Sequence, residues 1–152
     1  MPIPPSLADR SGALLTIAAR TGQELAGKRL APMGLTVRLC GVLNLLRNGP
    51  ISQQELGEQL GIDRTTIVEL IDELERQGVV VRRRNAADRR SYALVLTPQG
   101  RAVQKRASKA FDAAADEFFG ALKPTERQLL TDMMRRLIAA ADEKLGKTPK
   151  VP

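Results

Sequence analysis

The stretch that decides the fold is residues 52–74, SQQELGEQLGIDRTTIVELIDEL. It opens with a capping box, because the Ser52 hydroxyl can accept from the Glu55 amide while the Glu55 carboxylate reaches back to the Ser52 amide. The short helix that begins here is predicted to end at Gly61, and Asp63 is a good N-cap for a second helix. Two helices joined by so short a turn indicate a helix-turn-helix.

The second of these helices is amphipathic. Its predicted buried face has apolar residues at positions i, i+3, i+4 and i+7, namely Ile67, Leu70, Ile71 and Leu74. In a DNA-binding helix-turn-helix the second helix enters the major groove by its N-terminal turn. That turn is Arg64, Thr65 and Thr66 here, and the free amides of a helix N-terminus also favour phosphate.

After Gly78 the spacing of apolar residues changes from that of a helix to that of a strand. Residues 79–81 are all valine, and Tyr92–Leu96 alternates large and small apolar residues, so the two segments are predicted to form one hairpin. A hairpin that follows the recognition helix is a wing. Basic side chains at its tip are of the kind that enters a narrow minor groove, and the candidates are Arg84, Arg89 and Arg90.

Helices are expected on both sides of this segment. The span 7–30 has a helical period, and a second helix is predicted after Thr36. Beyond the hairpin, Thr97 followed by Pro98 opens a further helix. Gly120 interrupts it, and a last helix is predicted to begin near Pro124. The predicted fold class is therefore mainly α (α+β).

Charge is concentrated in one part of the chain. The 152 residues carry 24 Lys and Arg against 17 Asp and Glu, a net charge of +7. Eight of the basic residues and a single acid lie between residues 82 and 106, so this segment holds the whole excess. Such a focus suits a surface that binds a polyanion, although a solvated loop rich in Arg is an equally good interpretation of charge alone.

Composition excludes several functions. With no His and one Cys, the chain has no zinc finger, no Cys–His pair, no Ser–His–Asp triad and no intrachain disulfide. We expect neither a metal nor a cofactor, and no enzymatic activity. Cys40 lies in an apolar run and is expected to be a buried, inert thiol rather than a peroxide sensor. No apolar run approaches ~20 residues and no signal peptide is recognisable, so we expect no membrane partner and a cytoplasmic location.

Several motifs, in register and without gaps between about residues 35 and 103, resemble the multiple antibiotic resistance regulator (MarR) family. The most specific is an Asp-Arg-Arg wing followed by Leu-Thr-x-x-Gly. The matching residues are Leu35-Thr36, Ser52 to Leu56, Gly61 to Ile67, Leu74-Glu75, Gly78 to Val80, Arg82, Asp88-Arg89-Arg90 and Leu96 to Gly100. The outer helices agree with the family in length and position but not in motif.

The resemblance implies a homodimeric winged-helix transcription factor of bacterial or archaeal type. In such a protein the terminal helices interlock, and each protomer reads half of a pseudo-palindromic operator in double-stranded DNA. It further implies that Arg90 enters the minor groove, that Asp88 pairs with a nearby Arg to hold the wing tip, and that Arg64, Thr65 and Thr66 lie at the major groove.

Two positions depart from the family pattern. Many members have Lys or Arg where this chain has Glu69, and Ser or Thr is usual where it has Val68. An acid facing DNA repels phosphate but can accept from a cytosine amino group, so Glu69 is a candidate base-reading residue. The alternative is that Glu69 is a surface acid paired with Arg64 or Arg76.

The expected function is that of an operator-binding regulator, most often a repressor that a small aromatic or phenolic ligand releases. The alternatives are a winged-helix module that binds another protein and a ligand-independent activator. The expected division of the chain is an N-terminal dimerisation helix (1–34), the winged helix-turn-helix (35–97), C-terminal dimerisation helices (98–146) and a mobile tail (147–152).

Overall fold

The computed structural model describes residues 3–84 and 92–146. In chain order its elements are α1 (Ser11–Leu30), α2 (Val37–Leu46), β1 (Ile51–Ser52), α3 (Gln53–Leu60), α4 (Arg64–Arg76), β2 (Val80–Arg84), β3 (Tyr92–Leu96), α5 (Pro98–Phe118) and α6 (Pro124–Lys144). Short 3₁₀ turns precede α1, join α1 to α2 and follow α5.

The first helix begins later than predicted. Pro5–Leu7 is a 3₁₀ turn, and α1 starts only at Ser11, so the expected helical span 7–30 is wrong for its first residues. The break is at Arg10, which has an extended backbone (φ −103°, ψ 100°) and whose amide donates to the Leu7 carbonyl. The 3₁₀ turn that begins at the prolines therefore ends at Arg10, and the α-helix begins only after it.

Side-chain caps start the next three helices where the sequence predicts. The Thr36 hydroxyl accepts from the Leu39 amide (3.2 Å), and the Ser52 hydroxyl accepts from the Glu55 amide (3.2 Å). The Glu55 carboxylate accepts from the Ser52 hydroxyl (3.4 Å), where the prediction had the Ser52 amide. Asp63 caps α4. Local hydrogen bonds thus set the helix boundaries in this region.

The sheet has one strand more than the predicted hairpin. Strands β2 and β3 pair antiparallel as expected, from Val80 opposite Leu96 to Arg84 opposite Tyr92. Strand β1 adds to the other edge of β3, with Ile51 opposite Leu94. A two-residue strand has no period to recognise, and only its pairing with β3 defines it.

The chain divides into two compact units, Met1–Ala115 and Asp116–Pro152. The core of the first unit is built from α1 to α4, the sheet and the start of α5. Its fully buried side chains include Leu30, Val42, Leu43, Leu56, Ile67, Ile71, Leu74, Val79, Val80 and Leu94. The predicted buried face of α4 is confirmed at Ile67, Ile71 and Leu74, while Leu70 is half-buried.

The second unit contains α6, none of whose residues is buried. At its start Pro124 occupies the first turn and the Lys123 amide donates to Glu126 (2.7 Å). The Arg127 guanidinium donates to Asp116 (2.7 Å) and lies 5.1 Å from the centre of the Phe119 ring. Polar contacts and one cation–π contact therefore organise the start of this helix.

No single helix among the described residues is long and apolar enough to cross a membrane. The segments Ser11–Met33 and Val37–Leu46 meet that length and composition only when taken together, and they are bent by 76° at the break between them.

Candidate DNA-binding surface

The turn between α3 and α4 is tight because small residues allow the backbone to approach closely. Gly61 has a left-handed backbone (φ 62°), which glycine adopts without strain. The Ile62 amide donates to the Gly57 carbonyl (2.9 Å), and a Cβ built on Gly57 would lie 3.2 Å from the Ile62 carbonyl oxygen. The second helix is therefore held directly against the first, as the predicted helix-turn-helix requires.

Asp63 organises the N-terminal turn of α4. Its carboxylate accepts from the Thr66 amide (2.9 Å) and from the Thr66 hydroxyl (2.7 Å). These bonds stabilise the ionised form, so they lower the pKa of Asp63, the backbone bond most. The Thr66 hydroxyl is thus engaged with the cap, while Arg64 and Thr65 are exposed at the end of the helix.

The next turn of α4 presents Glu69 to solvent, and Val68 beside it is half-buried. Glu69 has no ion-pair partner among the described residues. Arg76 does not pair with it, because the Arg76 guanidinium donates twice to Glu73 (2.6 and 2.9 Å). That contact, with a bond from Gln77, lowers the pKa of Glu73.

An ion-pair cluster that sequence reasoning missed joins the recognition helix to the wing. The Arg82 guanidinium of β2 donates to Glu75 and to Asp72 (2.7 Å), and the Arg82 amide donates to Glu75 (3.1 Å). Asp72 and Glu75 lie on one face of α4 because they are three residues apart. That spacing was the available signal, but the partner on β2 is known only from the fold.

Of the predicted wing cations, Arg84 lies within the described residues. Arg83 and Arg84 are exposed, and Arg84 lies opposite Tyr92 at the described end of the hairpin. Asp88, Arg89 and Arg90 lie outside the described residues. Their contributions to the wing tip remain predictions.

The Leu-Thr-x-x-Gly motif fastens the base of the wing to α5. The Thr97 hydroxyl donates to the Gly78 carbonyl (2.8 Å) and accepts from the Gly100 amide (2.9 Å). A Cβ on Gly100 would lie 1.9 Å from the Val79 carbonyl oxygen, so only glycine fits there. One hydroxyl and one glycine therefore bring the end of α4, the start of β2 and the start of α5 together.

Cys40 lies inside the core of the same unit. It is 1% exposed, which confirms that the thiol is buried. Burial raises the pKa of Cys40, and the charge of Asp112 raises it further. A thiol in this environment resists ionisation and is a poor nucleophile.

Comparison with known proteins decides the family. A family model described as the MarR family matches residues 33–91. A protein of Thauera aromatica described as a transcriptional regulatory protein for the hcr operon is 34% identical over 124 residues, which cover 78% of this chain and 75% of that protein. The chain belongs to the MarR family. The predicted family and the expectation that the chain is not an enzyme are thereby confirmed, because MarR proteins are transcription regulators.

Two further relatives extend this result. The transcriptional repressor MprA of Escherichia coli K12 is 30% identical over 123 residues, covering 79% of this chain and 70% of that protein. The crystal structure of CouR from Rhodococcus jostii RHA1 bound to p-coumaroyl-CoA superposes with a TM-score of 0.79 at 31% identity, covering 88% of this chain and 95% of that one. The MarR winged-helix fold is thus confirmed, and the protein is a DNA-binding transcriptional regulator of MarR type.

Proposed function

We propose that this protein is a homodimeric repressor that binds a pseudo-palindromic operator in double-stranded DNA and is released by a small-molecule effector. The observation that carries the proposal is the exposed N-terminal turn of α4, which presents Arg64. Arg64 and Thr65 are exposed there, and Arg83 and Arg84 are exposed on the wing strand β2. A helix end of this kind reads base edges, and the arginines contact the backbone or the minor groove.

Within this proposal Arg64, Thr65, Thr66 and Glu69 lie at the major groove. Arg84, Arg89 and Arg90 belong to the wing contact, and Asp88 supports it. Because the Thr66 hydroxyl is already held by Asp63, we assign direct base contact to Arg64 and Thr65 first. Glu69 has no ion-pair partner among the residues described, which leaves its carboxylate available to accept from a cytosine amino group.

The proposal of a homodimer is supported by the surface of α6. Five large apolar side chains of α6 and its C-cap are 41–67% exposed, namely Leu129, Met133, Leu137, Ile138 and Leu145. An apolar stripe of this size on one helix is typical of a contact surface. We assign it to dimerisation, together with residues 1–34 and the remainder of 98–146.

The proposal of a repressor controlled by an effector is supported by the relatives. MprA is described as a transcriptional repressor, and CouR is described in complex with an aromatic acyl-CoA. We therefore propose that a small aromatic compound or its derivative releases the protein from its operator, and that the protein acts in the cytoplasm.

The test is selection of bound sequences from a random duplex pool, followed by fluorescence anisotropy with the selected operator. Arg64→Ala and Arg90→Ala should each weaken binding by about 1–3 kcal/mol, and Arg90→Ala should reduce the salt dependence by about one phosphate contact. The matched control is Arg10→Ala, which removes the same charge from an exposed site before α1.

A selection that enriches no sequence, or equal losses for Arg10→Ala and Arg64→Ala, would contradict the proposal. In that case net charge, and not the recognition helix, would account for DNA affinity.

A further inference from the structure

A pocket of about 360 Å³ lies within the first unit, between the end of α2, the end of β3 and the first half of α5. Its volume is within the range of about 300–1,000 Å³ that small-molecule sites occupy. The described residues that line the pocket include neither Arg84 nor any residue of the α4 N-terminal turn. It is therefore separate from the surface assigned to DNA.

Four cations surround this pocket: Arg47 after α2, and Arg101, Lys105 and Lys109 on α5. No acidic side chain is among the described residues that line it. Within the described ranges none of the four has a carboxylate partner. The three on α5 are four residues apart, which places them on one helix face where like charges repel.

The two neutral polar side chains that line the pocket, Gln104 and Ser108, are already hydrogen-bonded. Gln104 is 3% exposed, and its amide nitrogen donates to the Asn44 carbonyl oxygen and to the Ser108 hydroxyl oxygen (both 2.9 Å). The Ser108 hydroxyl donates to the same Asn44 oxygen (2.7 Å). Because these groups satisfy one another, we assign recognition of a charged ligand to the cations around them.

The location argues for a small anion rather than the DNA backbone. Leu96, which lines the pocket, lies opposite Val80 at the base of the hairpin, whereas Arg84 and Tyr92 form its far described end. Four residues of extended strand separate the two ends, about 13 Å at 3.3 Å per residue. The pocket thus lies at the base of the hairpin, away from its far described end.

The number of cations indicates the charge of the ligand. One cation suffices for a monocarboxylate, while two guanidinium and two ammonium groups match a ligand with several negative charges. Guanidinium groups bind phosphate through two parallel hydrogen bonds, and ammonium groups bind it as point charges.

We propose that the pocket formed by Arg47, Arg101, Lys105 and Lys109 binds a small molecule that carries two or more phosphate groups, such as a coenzyme A thioester or a nucleotide. Bound phosphates join Arg47 of the α2 end to the cationic face of α5, across the contact that Asn44 and Gln104 make. That α2 packs in the core beside α4 gives the ligand a route to the recognition helix. The assignment of the ligand as the effector rests on the proposed function.

The test is isothermal titration calorimetry of the full-length protein with coenzyme A, in the absence of DNA. Pantetheine is the matched ligand control, because it has the same thiol-terminated arm without phosphates. Lys105→Gln/Lys109→Gln should weaken coenzyme A binding at least tenfold. Arg38→Gln/Arg76→Gln removes two positive charges from exposed sites outside both the pocket and the segments assigned to dimerisation and should stay within twofold of wild type. Circular dichroism checks that both variants fold.

Coenzyme A that does not bind wild type, pantetheine that binds as well as coenzyme A, or equal losses in the two double variants would each overturn the proposal. Loss of operator affinity in Lys105→Gln/Lys109→Gln, with no coenzyme A binding by wild type, would assign these lysines to the DNA backbone instead. Coenzyme A binding by a protein that selects no operator would uphold the pocket and remove the proposed function.

Discussion

Helices α2 and α6 have similar apolar periods but different surroundings. In α2 the residues Leu39, Cys40, Val42, Leu43 and Leu46 are buried, half of the ten-residue helix. In α6, which is twice as long, no residue is buried, and Leu137 is 64% exposed. An apolar stripe thus indicates that one face of a helix packs against a partner, but it does not identify the partner. In α2 it is the winged-helix core, and in α6 we propose a second copy of the chain.

The largest expected effect comes from a comparison in which the same substitution, Leu to Ala, is made in each of these two helices. Leu43→Ala removes a fully buried side chain and should lower the free energy of unfolding by about 2–5 kcal/mol. Leu137→Ala should leave the helical content of the protein unchanged and raise the dimer dissociation constant about tenfold. Urea denaturation measures the first effect, and sedimentation equilibrium measures the second. A stable wild-type monomer at micromolar concentration would contradict the interpretation of α6.

Gly100→Ala tests the closest contact at the base of the wing. Because the new Cβ would overlap the Val79 carbonyl oxygen, the strands or α5 must shift, and we expect a loss of about 3 kcal/mol. The control is Gly12→Ala in α1, where nothing lies within 4 Å of the added methyl group. That change should stabilise the helix by about 0.5–1 kcal/mol. Equal thermal shifts for the two variants would show that this contact does not constrain the fold.

Arg82→Ala tests whether the ion-pair cluster positions the wing. Asp72 and Glu75 would lose their shared cation, and the expected loss of stability is about 1 kcal/mol because the pair is partly solvated. Operator affinity should also fall, by more than the small loss of folding stability can account for, because Arg82 no longer holds β2 against α4. Arg76→Ala is the control, because it breaks an exposed pair within α4 alone. If both variants bind operator equally, the cluster does not position the wing.

The smallest expected effect concerns pH and the cap of α4. The pKa of Asp63 in the folded state lies below its usual value of about 3.8. The ionised carboxylate therefore stabilises the fold above about pH 3.8, and this stabilisation is lost as the pH falls through the folded-state pKa. Asp63→Asn keeps a good N-cap without the titrating group. The melting temperature should therefore fall more steeply between pH 5 and pH 2 in wild type than in Asp63→Asn. Parallel curves would mean that the carboxylate adds nothing beyond its role as a cap.

Most of the winged helix was predictable because its signals are local. Thr36, Ser52 and Asp63 cap their helices through bonds to residues three positions away, and Gly61 ends α3 with the left-handed backbone that glycine favours. Such bonds depend only on neighbouring residues, so the sequence contains all the information they need. The start of α1 was misplaced because the extended backbone of Arg10 has no such signal.

Most of what was missed depends on residues distant in the chain. Strand β1 exists only by pairing with β3, and the bonds of Gln104 reach Asn44 sixty positions away. The cluster around Arg82 needs α4 and β2 to lie side by side. The basic pocket likewise combines the end of α2 with one face of α5. A period or a motif describes one element at a time, so it cannot predict which polar faces meet.

The sequence by itself determined the family, the order of the helices and wing strands, their caps and the segment that carries the net charge of +7. These features follow from periodicity and short-range hydrogen bonds, which are properties of contiguous residues. Only the tertiary structure decided that Arg82 joins the wing to α4, that Gly100 allows α5 to contact Val79, and that four cations, one after α2 and three on α5, converge on one pocket. Packing brings these groups together from distant parts of the chain, and a local sequence pattern does not predict which distant group each side chain contacts.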